Sequence, residues 1–198
     1  IYRVPFDKIE EWTTGSADKI LVNSNFTAGV FGKTFANLAT PEVLYPSINM
    51  DAFARSYAAA KKFKDAPSNS CLRDVIPGIP SDVTDCAIAD VKRLVLSINR
   101  FERKKDIMLA VEMLARLRDT HPDAFARTHL VIAGGYDPRV AENVEYKKEL
   151  DAKVAELDLT QHVTMVLNFT DEQRAALLAR SACLVYTPQN EHFGIVPV

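Results

Sequence analysis

The segment Asn99-Arg100-Phe101-Glu102-Arg103-Lys104-Lys105-Asp106 concentrates charge. Four cations stand against one acid from Arg100 to Lys105, a local charge of +3 in a chain whose formal net charge is −2. Arginine presents a planar fork of donors that matches phosphate oxygens. A helix beginning just after such a loop adds free backbone N–H groups and the positive end of its dipole. A phosphate or pyrophosphate site fits this pattern, and so does a solvated charged loop. A second candidate is Gly134-Gly135, where the backbone can approach a ligand closely; taken alone, a tight turn explains it better. The third is Pro188-Gln189-Asn190-Glu191-His192-Phe193-Gly194-Ile195-Val196-Pro197. A carboxylate beside a glycine can accept hydrogen bonds from sugar hydroxyls, and it can equally cap a following helix.

Other reactive residues form no constellation. His121, His129 and His162 are dispersed without metal-ligand spacing, which suits surface or core roles. Cys71, Cys86 and Cys183 are odd in number and share no metal spacing, so they read as reduced structural thiols. Asn25-Phe26-Thr27 and Asn168-Phe169-Thr170 match the N-glycosylation acceptor pattern. Both fall at expected helix starts, where Asn and Thr cap, and neither is expected to be glycosylated. No G-x-G-x-x-G follows a first strand and no Walker A loop is present, which disfavours a dinucleotide dehydrogenase or a P-loop enzyme.

The elements that must position these residues follow from apolar periodicity. A strand is expected at 19–23, with Ser24 as the N-cap of a helix whose face is Phe31, Phe35 and Leu38. A second strand is expected at 43–45. A short helix over 57–63 precedes a Pro-, Gly- and Ser-rich stretch that reads as a loop or linker. From Arg93 the pattern is regular. Strands are expected at 94–98, 129–133, 162–167 and 183–187. Between them run helices marked by Ile107, Ala110, Val111, Leu114 and Leu117, by Leu150, Val154 and Leu157, and by a Thr170/Gln173 capping box ahead of Leu177 and Leu178. Alternating apolar strands and helices imply an α/β fold with a parallel sheet covered on both faces. Ligands of such sheets lie beyond the carboxyl ends of the strands, where all three candidate segments stand.

With 198 residues, 47% apolar and 25% charged, the chain has the composition of a globular protein. Its slight net acidity argues against nucleic acid as a main partner, and no apolar run reaches the 18 residues of a membrane span. Residues 1–50 read as the closing part of one α/β domain, 51–92 as a linker or insertion, and 93–198 as part of a second domain. The sequence opens without an initiator Met or a signal-peptide pattern and is expected to be the middle of a longer protein.

Taken together, Asp18-Lys19-Ile20-Leu21-Val22-Asn23-Ser24, the Leu96–Lys105 run, His129–Asp137 and Tyr186–Pro197 resemble the retaining glycosyltransferases of family four. Within that family the likeness is to the mannosyltransferases that build the dolichol-linked precursor of N-glycans. It covers nearly the whole chain apart from residues 51–90. The resemblance implies a GT-B architecture of two Rossmann-like domains, of which this chain holds the end of the first and the first part of the second, donor-binding one. Arg100 and Lys105 would grip the donor diphosphate and stabilise the leaving group. Glu191 would contact the donor sugar, with Asn190, His192, Phe193, Gly194, Ile195, Gly134 and Gly135 around the donor. The implied donor is GDP-mannose, and the implied acceptor is a dolichol-diphosphate oligosaccharide at the cytosolic face of the endoplasmic reticulum. Mannose would be added through alpha-1,3 and alpha-1,6 linkages with retention. No metal or cofactor is implied, and membrane association would come from parts of a longer parent. The second glutamate of the family's Glu-x7-Glu motif would fall one position past Val198, so these residues are expected to hold half a donor site and to transfer no sugar alone. A family-four enzyme with another donor, such as UDP-glucose, and a non-catalytic nucleotide-sugar-binding or interaction module are the alternatives.

Overall fold

A computed structural model describes residues 4–47, 49–65, 76, 78 and 93–189. The described residues divide into two compact units, one within the first 48 residues and the other spanning 49–189.

The first unit begins with helix α1 (Val4–Gly15), which the sequence reading does not anticipate. Its Phe6, Ile9 and Trp12 are exposed, so no buried stripe marks it. Strand β1 (Leu21–Val22) leads to helix α2 (Asn25–Thr34). As expected, Ser24 caps α2: its hydroxyl oxygen accepts the Thr27 N–H at 3.1 Å, satisfying a donor that the first turn leaves open. Phe31, Phe35 and Leu38 do not form one helical face. The helix stops at Thr34, and Phe35 is its C-cap, donating its N–H to the Phe31 carbonyl. The Phe31 and Phe35 rings still meet edge-on at 5.0 Å. Strand β2 (Glu42–Val43) pairs in parallel with β1.

In the second unit, helix α3 (Met50–Asp65) is longer than the expected 57–63. Strands β3 (Arg93–Ile98), β4 (Thr128–Gly134), β5 (Val163–Leu167) and β6 (Ser181–Leu184) form one sheet in the order β5-β4-β3-β6. All three pairings are parallel. Helices α4 (Ile107–Thr120), α5 (Pro122–Ala126), α6 (Ala141–Glu156) and α7 (Asp171–Arg180) connect the strands. The Thr170/Gln173 capping box starts α7, with both reciprocal bonds made.

Strand alternation divides the core between the two faces. Leu130 and Ile132 of β4 pack with Ile107, Ala110, Val111 and Leu114 of α4 and with Leu150 and Val154 of α6. Val131 and Ala133 point the other way, joining Leu94 and Leu96 of β3 and Ala176 and Leu177 of α7. Phe63 of α3 packs on this second cluster. Of the two leucines expected in α7, Leu177 is buried and Leu178 is exposed. Both faces of β4 are covered, which is why all seven of its residues are buried and why Leu130, Val131, Ile132 and Ala133 form a continuous apolar run rather than an alternating one.

Candidate functional site

The strand order creates a reversal. From β3 the chain steps outward through β4 to β5, then crosses back to place β6 on the other side of β3. In open parallel sheets the crevice at such a reversal, beyond the carboxyl ends of the strands, is where ligands bind. Here it lies between the exits of β3 and β6. Past the end of β6 the Val185 N–H still donates to Leu96 at 2.7 Å, and Asn99 donates its N–H to Ala133 at 3.0 Å. Thr187 donates its hydroxyl to the Lys105 carbonyl at 2.7 Å, and the Gln189 amide lies 3.5 Å from the Asp106 carboxylate. The segment leaving β6 is therefore tied to the turn that enters α4. Asn99 is buried at this exit, with its side-chain oxygen unpartnered among the described residues.

On the other side of β3, a cleft of about 670 Å³ opens between the ends of β3, β4 and β5. Arg100, Gly135, Asp137, Arg139, Asn143 and Asn168 are among its lining residues. Gly134 is not among the residues that line it. A Cβ there would sit 1.6 Å from the Asn99 carbonyl oxygen, so its lack of a side chain lets the β3 exit pass. A Cβ on Gly135 would meet only the Arg100 Cγ, at 3.7 Å.

The four cations of the loop have different surroundings. The Arg100 side chain is 75% exposed and stands 3.8 Å from Glu102. Lys104 pairs with Glu102 at 3.1 Å. Arg103 turns to α6, reaching Glu145 at 3.3 Å and Glu149 at 2.5 Å; Glu149 first and Glu145 second hold its guanidinium above the usual pKa. Lys105 is half-buried at the end of a short 3-10 turn (Arg103–Lys105) and does not line the cleft that Arg100 lines. The loop thus brings Arg100 to one side of β3 and the Lys105 backbone to the β6 side.

Sequence reasoning missed the residues that shape the far wall of the cleft. Asn168 has φ 54°, a left-handed conformation that Asn tolerates better than most residues. Its side chain accepts the Tyr136 N–H at 2.8 Å and donates to the Tyr136 carbonyl at 2.6 Å. Asn143 accepts the Asp137 N–H at 3.0 Å. Arg139 grips the Asp137 carboxylate through two nitrogens at 3.0 and 2.8 Å, holding that carboxyl below its usual pKa. An Asn at a strand end, which the sequence reading took as a helix-start cap, is the signal that marks Asn168. The remaining expected site residues, Asn190, Glu191, His192, Phe193, Gly194 and Ile195, lie outside the described residues.

A family described as glycosyl transferases group 1 matches residues 82–198. The alpha-1,3/1,6-mannosyltransferase ALG2 of Homo sapiens is 47% identical over 202 residues, covering 100% of this chain and 43% of that protein. The protein of the same name from Rhizomucor pusillus is 42% identical over 219 residues, covering 100% of this chain and 44% of its own length. The chain thus spans less than half the length of these relatives. Among solved structures, sucrose-phosphate synthase from Thermosynechococcus elongatus superposes with a TM-score of 0.67 at 20% identity, covering 98% of this chain and 40% of its own. At that identity the match bears on the fold alone, an α/β fold of the GT-B type.

Proposed function

The chain belongs to the group 1 glycosyl transferases, and from that premise we propose that it carries part of the donor site of a mannosyltransferase using GDP-mannose. In this reading the enzyme transfers mannose to a dolichol-diphosphate oligosaccharide, making alpha-1,3 and alpha-1,6 linkages with retention at the cytosolic face of the endoplasmic reticulum. The relatives named as alpha-1,3/1,6-mannosyltransferases support the activity. What supports Arg100 in the site is its place with Gly135 in one cleft at the carboxyl ends of β3 and β4, whereas Lys105 and Glu191 are assigned from the resemblance.

The chemistry follows from charge. As the bond between the anomeric carbon and the phosphate oxygen breaks, negative charge develops on the departing GDP. The acceptor hydroxyl oxygen bonds to the anomeric carbon and gives up its proton to the departing phosphate oxygen. Fixed cations aimed at the diphosphate lower that barrier because they need no reorganisation as the charge develops. Arg100 and Lys105 take this role, and Glu191 takes the donor-sugar hydroxyls.

Calorimetric titration of the full-length protein with GDP, GDP-mannose and UDP-glucose tests the reading. GDP and GDP-mannose should bind, and Arg100→Ala and Lys105→Ala should each weaken GDP by about tenfold or more, as expected for loss of a charge-assisted contact. Wild-type affinity in both variants overturns the diphosphate assignment. Preference for UDP-glucose overturns the donor assignment alone.

A further inference from the structure

We propose that Arg103 is a positioning residue, fastening the loop that carries Arg100 and Lys105 to helix α6 so that their cations are set for the donor diphosphate. The inference rests on the diphosphate reading above.

The fastening is made at two levels. The Arg103 backbone N–H donates to Glu142 at 3.1 Å, and its guanidinium reaches Glu145 and Glu149 at 3.3 and 2.5 Å. Glu142, Glu145 and Glu149 are spaced at i, i+3 and i+7, which places them on one face of α6. Three carboxylates in a row repel one another, and a cation bridging two of them relieves that repulsion. Arg103 therefore has a partner set that neither Arg100 nor Lys104 shares.

The loop is also held at its edges. Phe101 is fully buried, and the Lys105 carbonyl is held by Thr187. Between them the chain makes a three-residue 3-10 turn and passes into α4 through Asp106 at φ 50°. No side chain at the N-cap bonds the first turn of α4. Arg103 and α6 thus supply the middle attachment. Because the Arg103 side chain is 45% exposed, its ion pairs contribute little to global stability. Their effect is on loop order, and a loop that must be ordered when ligand binds weakens affinity.

The test uses the full-length protein and reads GDP affinity, donor and acceptor KM, and Tm. Arg103→Ala should weaken GDP binding and raise donor KM about fivefold, in the range of coupling between neighbouring residues. Acceptor KM should stay unchanged, and Tm should move by less than about 2 °C. Arg103→Lys should recover part of the loss, and Glu149→Gln should reproduce part of it from the other side. In an Arg100→Ala background, adding Arg103→Ala should cost less than it does in the wild type, because Arg103 acts through Arg100. Unchanged GDP affinity in Arg103→Ala, or strict additivity with Arg100→Ala, overturns the proposal while leaving the diphosphate site standing. If Arg100→Ala itself binds GDP as the wild type does, the diphosphate reading falls and this inference falls with it.

Discussion

Gly134 and Gly135 are neighbours with different reasons to be glycine. At Gly134 the obstacle is backbone: a Cβ would penetrate the Asn99 carbonyl just past the end of β3. Backbone cannot swing away as a flexible side chain can, so β3 and β4 would have to separate locally. Gly134→Ala should destabilise the chain by about 3 kcal/mol or more, at the upper end for overpacked sites. At Gly135 the nearest atom lies in the flexible Arg100 side chain, at ordinary contact distance. Gly135→Ala should change stability by less than about 0.5 kcal/mol, as for a typical surface site. Urea unfolding of the two variants measures both; equal losses would show that Gly134 is not the packing constraint.

At the scale of elements, α4 is capped from outside. The Tyr146 hydroxyl oxygen of α6 accepts the Met108 N–H at 3.1 Å, serving a first-turn donor that α4 cannot satisfy itself. Tyr146→Phe removes this acceptor and leaves the N–H partly buried, an expected loss of about 1 kcal/mol at neutral pH. Burial also pushes the Tyr146 phenol above its ordinary pKa, so the folded state favours the neutral form. Its contribution is fully present below about pH 10, the usual tyrosine value, and is lost as pH rises through the higher folded value. Thermal unfolding from pH 8 to 11 should therefore show the stability gap between wild type and Tyr146→Phe narrowing at the alkaline end. A gap that widens with pH would contradict the assigned direction.

At the scale of the whole molecule, burial is distributed unevenly. None of the Val, Ile, Leu, Phe, Tyr or Trp side chains described in the first unit is buried, whereas the second unit has apolar clusters on both faces of its sheet. Segments with few buried contacts open at lower free energy than core strands. Hydrogen exchange of this chain should find the β3 and β4 amides slowest and those of α1 and α2 fast. Protection of α1 equal to that of β4 would refute the uneven distribution of stability. Strand order is the second property of this scale, because it decides which strand exits stand beside one another at the reversal. Each strand is visible alone, but its neighbours are not.

Element identities in the second unit were legible because apolar periodicity is a local property. Ile107, Ala110, Val111 and Leu114 announce α4 by spacing alone, and Thr170 with Gln173 announces the start of α7. The family was legible in motifs at strand ends. Helix α1 was not, because its apolar residues have no buried partner to make a stripe informative. By residue type and spacing alone the cations of the loop could not be told apart, and only the family resemblance singled out Arg100 and Lys105. Arg100 and Arg103 are the same residue type three positions apart, yet Arg100 lines the cleft and Arg103 pairs with Glu145 and Glu149 on α6. That division depends on carboxylates more than forty positions along the chain, brought within reach only when α6 packs beside α4 on β4. Residue type and spacing showed a cationic loop at a strand end, suited to an anion or to solvent. Only the tertiary structure decided which arginine lines the cleft and which pairs with α6, because the partner of a charge is a neighbour in space and not in sequence.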